Sequence, residues 1–115
     1  MKLAVIGSRQ YTNMVEMSAK IDGLTPSTII SGGAKGADTL AKTYATKHNI
    51  NMVEHKADWK QFGRGAGIIR NRTIVESADH ILAFWDGSSL GTKSSIDYAR
   101  KLNKPVTIIY FDSKA

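Results

Sequence analysis

Five short apolar runs, parted by longer stretches of helical periodicity, constrain this chain more than any other feature of it. Lys2 to Ile6 is apolar and β-branched and reads as a first strand. Asn13 to about Gly23 carries Met14, Met17 and Ile21, with Leu24 just beyond, at helical spacing, and Asn13 stands where a helix is capped. Thr28 to Ser31 is a short buried strand. Ala37, Leu40, Ala41, Tyr44, Ala45 and His48 then fall on one face of a second helix. Asn51 to His55 is a weaker third strand. Arg64 to Ser77 is a third helix whose start is blurred by nearby glycines. His80 to Trp85 is a fourth strand, and Thr92 to about Asn103 a fourth helix with Ile96, Ala99 and Leu102 inward. Pro105 to Phe111 closes the series as a fifth strand, followed by a charged tail.

Strands alternating with helices of this length build parallel βαβ units with right-handed crossovers. The expectation is an α/β fold: a doubly wound, parallel five-stranded sheet of order 3-2-1-4-5 with helices on both faces. A chain of 115 residues is one domain, spanning 1–115, and is long enough to bury a core without covalent staples. It has no cysteine, which excludes disulfides and thiolate metal sites. His48, His55 and His80 lack metal-ligand spacing, so neither a metal nor another cofactor is expected. The opening MKLAVIGSR reads as a strand and not a signal peptide, and no apolar stretch reaches membrane-spanning length. A cytoplasmic protein with no membrane partner is the expectation. Sixteen Lys and Arg against ten Asp and Glu give +6, a balance that favours an anionic partner: a nucleotide, a phosphate ester or a nucleic acid.

In an open parallel sheet the loops after the strands gather at one edge, and ligands bind where the strand order reverses. Polar, glycine-bearing segments follow the first four strands: VIGSR, SGGAKGAD, ADWKQFGRGAGIIRN and FWDGSSLGTKSS. The first sets Gly7, Ser8 and Arg9 at the mouth, where Arg9 could clamp a phosphate bidentately. In the second, Gly32, Gly33 and Ala34 would let backbone N–H groups approach an anion. Lys35 would cap it as a mobile point charge, and Gly36 would open a helix whose N-terminus favours negative charge. Asp38, in the first turn, caps that helix in the alternative reading. The third segment offers Arg70 and Asn71 on one turn, beside Trp59, which either stacks on a base or shields the sheet edge. The fourth supplies Trp85 as a second stacking ring, Asp86 as the best-placed acid, and Gly91, Thr92, Lys93, Ser94 and Ser95 around a helix N-terminus. The plainer alternative gives these glycines to close packing and the hydroxyls to helix capping. The fourth segment is a near miss for a triphosphate loop, because from Gly87 the required second glycine falls on Thr92.

In their order, VIGSR, SGGAKGADTLA, ADW, AGIIRN, ADHILAFWDG and LGTKSSIDYA resemble the SLOG superfamily, which joins Smf/DprA with LOG, and within it the compact single-domain branch related to YspA and YpsA. The resemblance covers nearly the whole chain and implies a Rossmann-like fold that binds a nucleotide or nucleotide derivative. LOG enzymes cleave nucleoside monophosphates with a glutamate in a GTxxE pattern and an arginine. Here that glutamate position is Ser95, while Arg70 could match the arginine. A serine neither stabilises an anomeric cation nor activates water well. Asp97 lies two residues on, about 200° round a helix, and points away. Asp86 or Asp38 remains as the substitute acid. The resemblance therefore implies a non-catalytic sensor or sequestering protein for an ADP-ribose-like molecule, a cyclic nucleotide or a nucleoside monophosphate. LOG-like N-glycosidic hydrolysis and DprA-like binding of single-stranded nucleic acid are the alternatives. For a strand, Arg9, Lys35, Lys60, Arg64, Arg70, Arg72 and Lys93 could border the mouth. The resemblance also implies a homodimer or higher assembly, in a bacterial cell or, since compact members look common in phages, an infected one.

Overall fold

The computed structural model describes residues 1–112, so most of the charged tail lies outside the described residues. Its strands are β1 (Lys2–Gly7), β2 (Thr28–Ser31), β3 (Asn51–Glu54), β4 (His80–Trp85) and β5 (Val106–Tyr110). All neighbours pair parallel in the order β3-β2-β1-β4-β5, the expected order. The helices are α1 (Met14–Leu24), α2 (Ala37–Lys47), a single-turn α3 (Trp59–Phe62) running into a 3₁₀ turn (Gly63–Gly65), α4 (Ala66–Ser77) and α5 (Leu90–Lys101).

Alternation along β1 divides the core between the two faces of the sheet, because successive side chains of a strand point opposite ways. Leu3 and Val5 pack with Ile29, Leu82 and Phe84 against Met17, Ile21, Ala41 and Tyr44 of α1 and α2. Ala4 and Ile6 pack with Ile30, Ile81 and Ala83 against Ile74, Val75, Ile96 and Ala99 of α4 and α5. Each large apolar side chain buried in this way contributes roughly 1.5–3 kcal/mol. Asn13 does cap α1, its side-chain oxygen accepting from the Glu16 N–H at 3.0 Å. Among the described residues no helix is long and apolar enough to cross a membrane.

Four local expectations need correction. The third helix starts at Ala66 and not Arg64, and the unforeseen α3 precedes it, capped by Asp58, whose carboxylate accepts from the Gln61 N–H at 3.2 Å. The fourth helix starts at Leu90, two residues before Thr92, so Thr92 and Ser95 join Ile96 and Ala99 on its buried stripe. Leu102 is 38% exposed, because it is the C-cap residue and has left that stripe. His48 is also exposed, and its ring stacks on Tyr44 with centroids 4.1 Å apart.

Candidate functional site

Strand order reverses between β2-β1 and β4-β5, and a cavity of about 420 Å³ opens beside the C-terminal ends of β1 and β4. Ile6, Gly7, Ser8, Arg9 and Gln10 line it from the end of β1 and the loop beyond. Ala34 and Asp38 come from the β2–α2 segment, and Arg70, Asn71 and Ile74 from α4. Asp86, Ser89, Gly91, Thr92 and Ser95 come from the β4–α5 turn and the start of α5.

The β1–α1 loop is held by its own residues. Tyr11 is buried, its ring stacked on Phe84 with centroids 4.4 Å apart. The Ser8 N–H donates to the Phe84 carbonyl at 3.0 Å, and the Ser8 hydroxyl donates to Gln10 Oε1 at 3.2 Å. Arg9 stands exposed at the rim.

Arg70 is half-buried and aimed by three chemical facts. Its Nη1 donates to the Gly32 carbonyl at 2.6 Å, and its Nε to Asn71 Oδ1 at 2.8 Å. A Cβ on residue 32 would sit 2.6 Å from that Nη1, so glycine is what lets the guanidinium lie against the backbone. A guanidinium has five N–H donors, and these two bonds leave donors for an anion in the cavity.

Two carboxylates share the cavity and are tuned in opposite directions. Asp38 is only 9% exposed and accepts from the Ala34 N–H at 3.1 Å. Burial pushes its pKa up, opposed by the Ala34 N–H, the Ser31 hydroxyl, the Arg70 charge and the Gly32 N–H. It does not cap α2: the N-cap of that helix is Gly36, with no side-chain bond. Asp86 accepts from the N–H groups of Ser88 at 3.0 Å and Ser89 at 2.8 Å, and those bonds hold its pKa below the ordinary carboxylate range.

The α5 N-terminus opens on the cavity without a side-chain capping bond from Ser89. The aligned peptide dipoles leave about half a positive charge there. Thr92 and Ser95 are 5% and 3% exposed. The Ser95 hydroxyl donates to the Gly91 carbonyl at 3.2 Å, and the Thr92 hydroxyl lies 3.4 Å from that of Ser89. The α2 N-terminus is arranged otherwise: its Ala37 N–H donates to the Ser8 carbonyl at 3.3 Å.

Of the residues singled out in the sequence, Gly7, Ser8, Arg9, Ala34, Arg70, Asn71, Asp86, Gly91, Thr92 and Ser95 line the cavity together. Gly32, Gly33, Lys35, Trp85, Lys93 and Ser94 do not line it. Gly32 instead makes room for Arg70. Lys35 and Ser94 are exposed, and Lys93 is ion-paired at 3.0 Å with Asp97, which does point away. The Trp85 indole donates to the Ser89 carbonyl at 3.1 Å and leans on Tyr110, 5.6 Å between ring centroids. Arg72 sits over the Tyr98 ring at 5.4 Å. Gln10, Ser89, Ile6 and Ile74 were missed. Ile74 had a signal, lying one helical turn beyond Arg70. Among the described residues no group of three or more His, Asp or Glu could hold a metal ion.

The arrangement can bind an anion between a helix N-terminus and two arginines, with a buried acid and an ionised acid set around it. Its fold and sequence have known counterparts. The family model described as "YspA, cpYpsA-related SLOG family" matches residues 1–62. The Gene 61 protein of Mycobacterium phage D29 is similar, at 38% identity over 84 residues that cover 68% of this chain and 67% of that protein. DNA processing protein A from Helicobacter pylori, in a structure described for its single-stranded DNA binding mode, shares the fold. It superposes with a TM-score of 0.69 at 21% identity, covering 99% of this chain and 69% of that one.

Proposed function

The chain belongs to the YspA, cpYpsA-related SLOG family, and from that premise we propose that it binds a nucleotide or nucleotide derivative through its phosphate in the cavity beside β1 and β4. The observation that carries this is the convergence of the uncapped α5 N-terminus with Arg70 and Arg9 on one cavity at the strand reversal. A phosphate there meets N–H donors, a helix dipole and a bidentate fork at once. The cavity volume, about 420 Å³, falls in the range of small-molecule sites.

Binding is favoured over turnover by the state of the acids. Ser95 stands where a catalytic glutamate would be expected, and its hydroxyl donates to a backbone carbonyl. Asp97 is exposed and paired with Lys93. Asp86 and Asp38 are both engaged by backbone N–H groups, Asp86 by those of Ser88 and Ser89 and Asp38 by that of Ala34, so each serves the loop that holds it. The likeness to a phage protein supports a place in an infected bacterial cell. A second reading, a nucleotide belonging to a single strand, is favoured by the fold shared with a protein described as binding single-stranded DNA and by the net charge of +6.

Calorimetry with AMP, ADP-ribose and cyclic AMP, and with adenosine as the control, tests the phosphate site. A phosphate-bearing ligand should bind at least about tenfold tighter than adenosine, since a charge-assisted bond is worth roughly 1.5–3 kcal/mol. Arg9→Ala should remove most of that advantage, and Lys35→Ala little. Equal affinity for adenosine and its phosphates, or no binding at all, rejects the proposal. Chromatography of AMP and NAD incubations covers catalysis: base release abolished by Asp86→Asn would replace a binder with a hydrolase.

A further inference from the structure

Across Arg70 from the cavity lies a second, smaller groove of about 160 Å³, between the residues that follow β3 and the face of α4. Arg70 lines both depressions, which makes them neighbours through that residue. The groove wall includes Phe62 and Ile69, with Lys56 and Asp58 at its edge. Phe62 is 43% exposed and Trp59 57% exposed. The two are three residues apart on α3 and so share a side of that turn. The Trp59 ring lies over the start of α4, 3.6 Å from where a Cβ of Gly67 would stand. Exposed Phe62 and Ile69 line the groove together, and the exposed Trp59 ring stands outside its lining on the same side of α3 as Phe62; such an apolar patch on a small domain marks an interaction site.

The charge around the patch selects the occupant. Lys60 and Arg64 lie exposed on the same short segment and Arg70 joins it to the cavity, while exposed Lys56 is ion-paired with Glu54 at 3.9 Å. The Asp58 carboxylate at its edge is engaged as the cap of α3. A second copy of this chain would set this basic patch against another of the same sign in a two-fold contact. An apolar ring attached to phosphate suits it instead: aromatic side chains stack on an unpaired base whatever its sequence, and the basic groups meet the linking phosphate.

We propose that this groove is a second base subsite, so that the recognised unit is two nucleosides joined through phosphate. One sits in the cavity, its linker at Arg70, and the other base lies on Phe62 and Trp59. This rests on the phosphate-binding reading of the cavity. A free dinucleotide and a stretch of single strand present the same chemistry.

Titrations with dAMP, d(pApA) and a short oligo(dA) test it, on the wild type and on a Trp59→Ala/Phe62→Ala variant whose changes fall on exposed positions. The wild type should bind d(pApA) about tenfold tighter than dAMP, the size of one base stack on an aromatic ring. The variant should bind dAMP as the wild type does and lose the tenfold gain. A further rise with oligo(dA) that falls steeply with salt identifies a strand as the source. A plateau at the dinucleotide identifies a free dinucleotide, and either result supports the two-base site. A dAMP affinity not exceeded by d(pApA), or weakened equally with it in the variant, overturns the second subsite and leaves the cavity reading standing. Absence of binding by all three ligands overturns both. Sedimentation of a dimer that dissociates in the variant would assign the patch to a second copy and overturn it as well.

Discussion

The N-termini of α2 and α5 carry the same signal in the sequence, glycine and small polar residues between a strand and a helix, yet the fold uses them differently. At α2 the first N–H is taken by the Ser8 carbonyl, and a Cβ on Gly36 would sit 2.4 Å from that oxygen and 2.6 Å from Arg9 Cα. The glycine is there to bring two backbones together. At α5 a Cβ on Gly91 would meet nothing within 4 Å, no side chain caps the helix, and its first turn borders the cavity. A glycine at a helix start is therefore not by itself evidence of a ligand: at Gly36 another part of the chain approaches closely, and at Gly91 nothing does. At α2 that part is the β1–α1 loop, which is how Ser8 and Arg9 are held at the rim.

The largest effect should come from filling the closer of the two. Gly36 has φ of 78° and ψ of −125°, a region that side chains avoid, and the atoms it would strike are backbone. Gly36→Ala should cost about 3 kcal/mol or more from strain and overpacking together. Urea denaturation would read this as a lower midpoint at an unchanged slope. A cost under about 1 kcal/mol would mean that the loop and α2 separate easily, and the contrast with α5 would weaken.

The two acids sharpen the contrast, at a smaller scale. Burial raises Asp38 above the ordinary carboxylate value of 3.8, so the native state holds that proton more tightly than the unfolded chain does. The stability this brings is fully present below pH 3.8 and is lost as pH rises through the folded value. Asp86 is lowered below 3.8 by the Ser88 and Ser89 N–H groups, so its contribution is present above 3.8 and is lost as pH falls through the folded value. Asp86→Ala should cost about 1 kcal/mol at neutral pH through the lost turn bonds, and solvent screening keeps it near that size. Its deficit should shrink in acid. Asp38→Asn should do the reverse, with the wild type gaining on the variant as pH falls from neutral. Denaturation of both variants at neutral, weakly acidic and strongly acidic pH would check the signs, and parallel trends would remove the distinction between the two acids.

What could be read from the sequence follows the same division. Strand order and the reversal beside β1 and β4 were legible because period-two and period-3.6 patterns are local, and parallel connections leave few topologies. Capping at Asn13 was legible for the same reason. The partners of loop residues were not. Arg70 reaches the Gly32 carbonyl across 38 residues, and nothing within GGAK says that its first glycine makes space for an arginine. Lys35 carried the charge argument for α2, yet it stands outside the cavity, while Gln10 and Ser89 line it with no pattern to announce them. The single turn of α3 was hidden because four residues give no periodicity, although Asp58 followed by Gln61 matches the spacing of a helix start.

The smallest effect is also the cleanest separation of the two helix starts. Gly91 lies in the first turn of α5 with open space around its Cα, so alanine there restricts the unfolded chain without meeting an obstacle. Gly91→Ala should stabilise the fold by about 0.5 kcal/mol, opposite in sign to Gly36→Ala. The same methyl projects at the edge of a cavity that Gly91 lines, so a nucleotide bound at that turn would lose affinity even as the protein gains stability. Thermal denaturation with and without saturating ligand measures both at once. A variant that is more stable when free and gains less from the ligand places the phosphate at α5. Equal ligand gains in variant and wild type would move it toward Arg9 and Arg70, away from the helix.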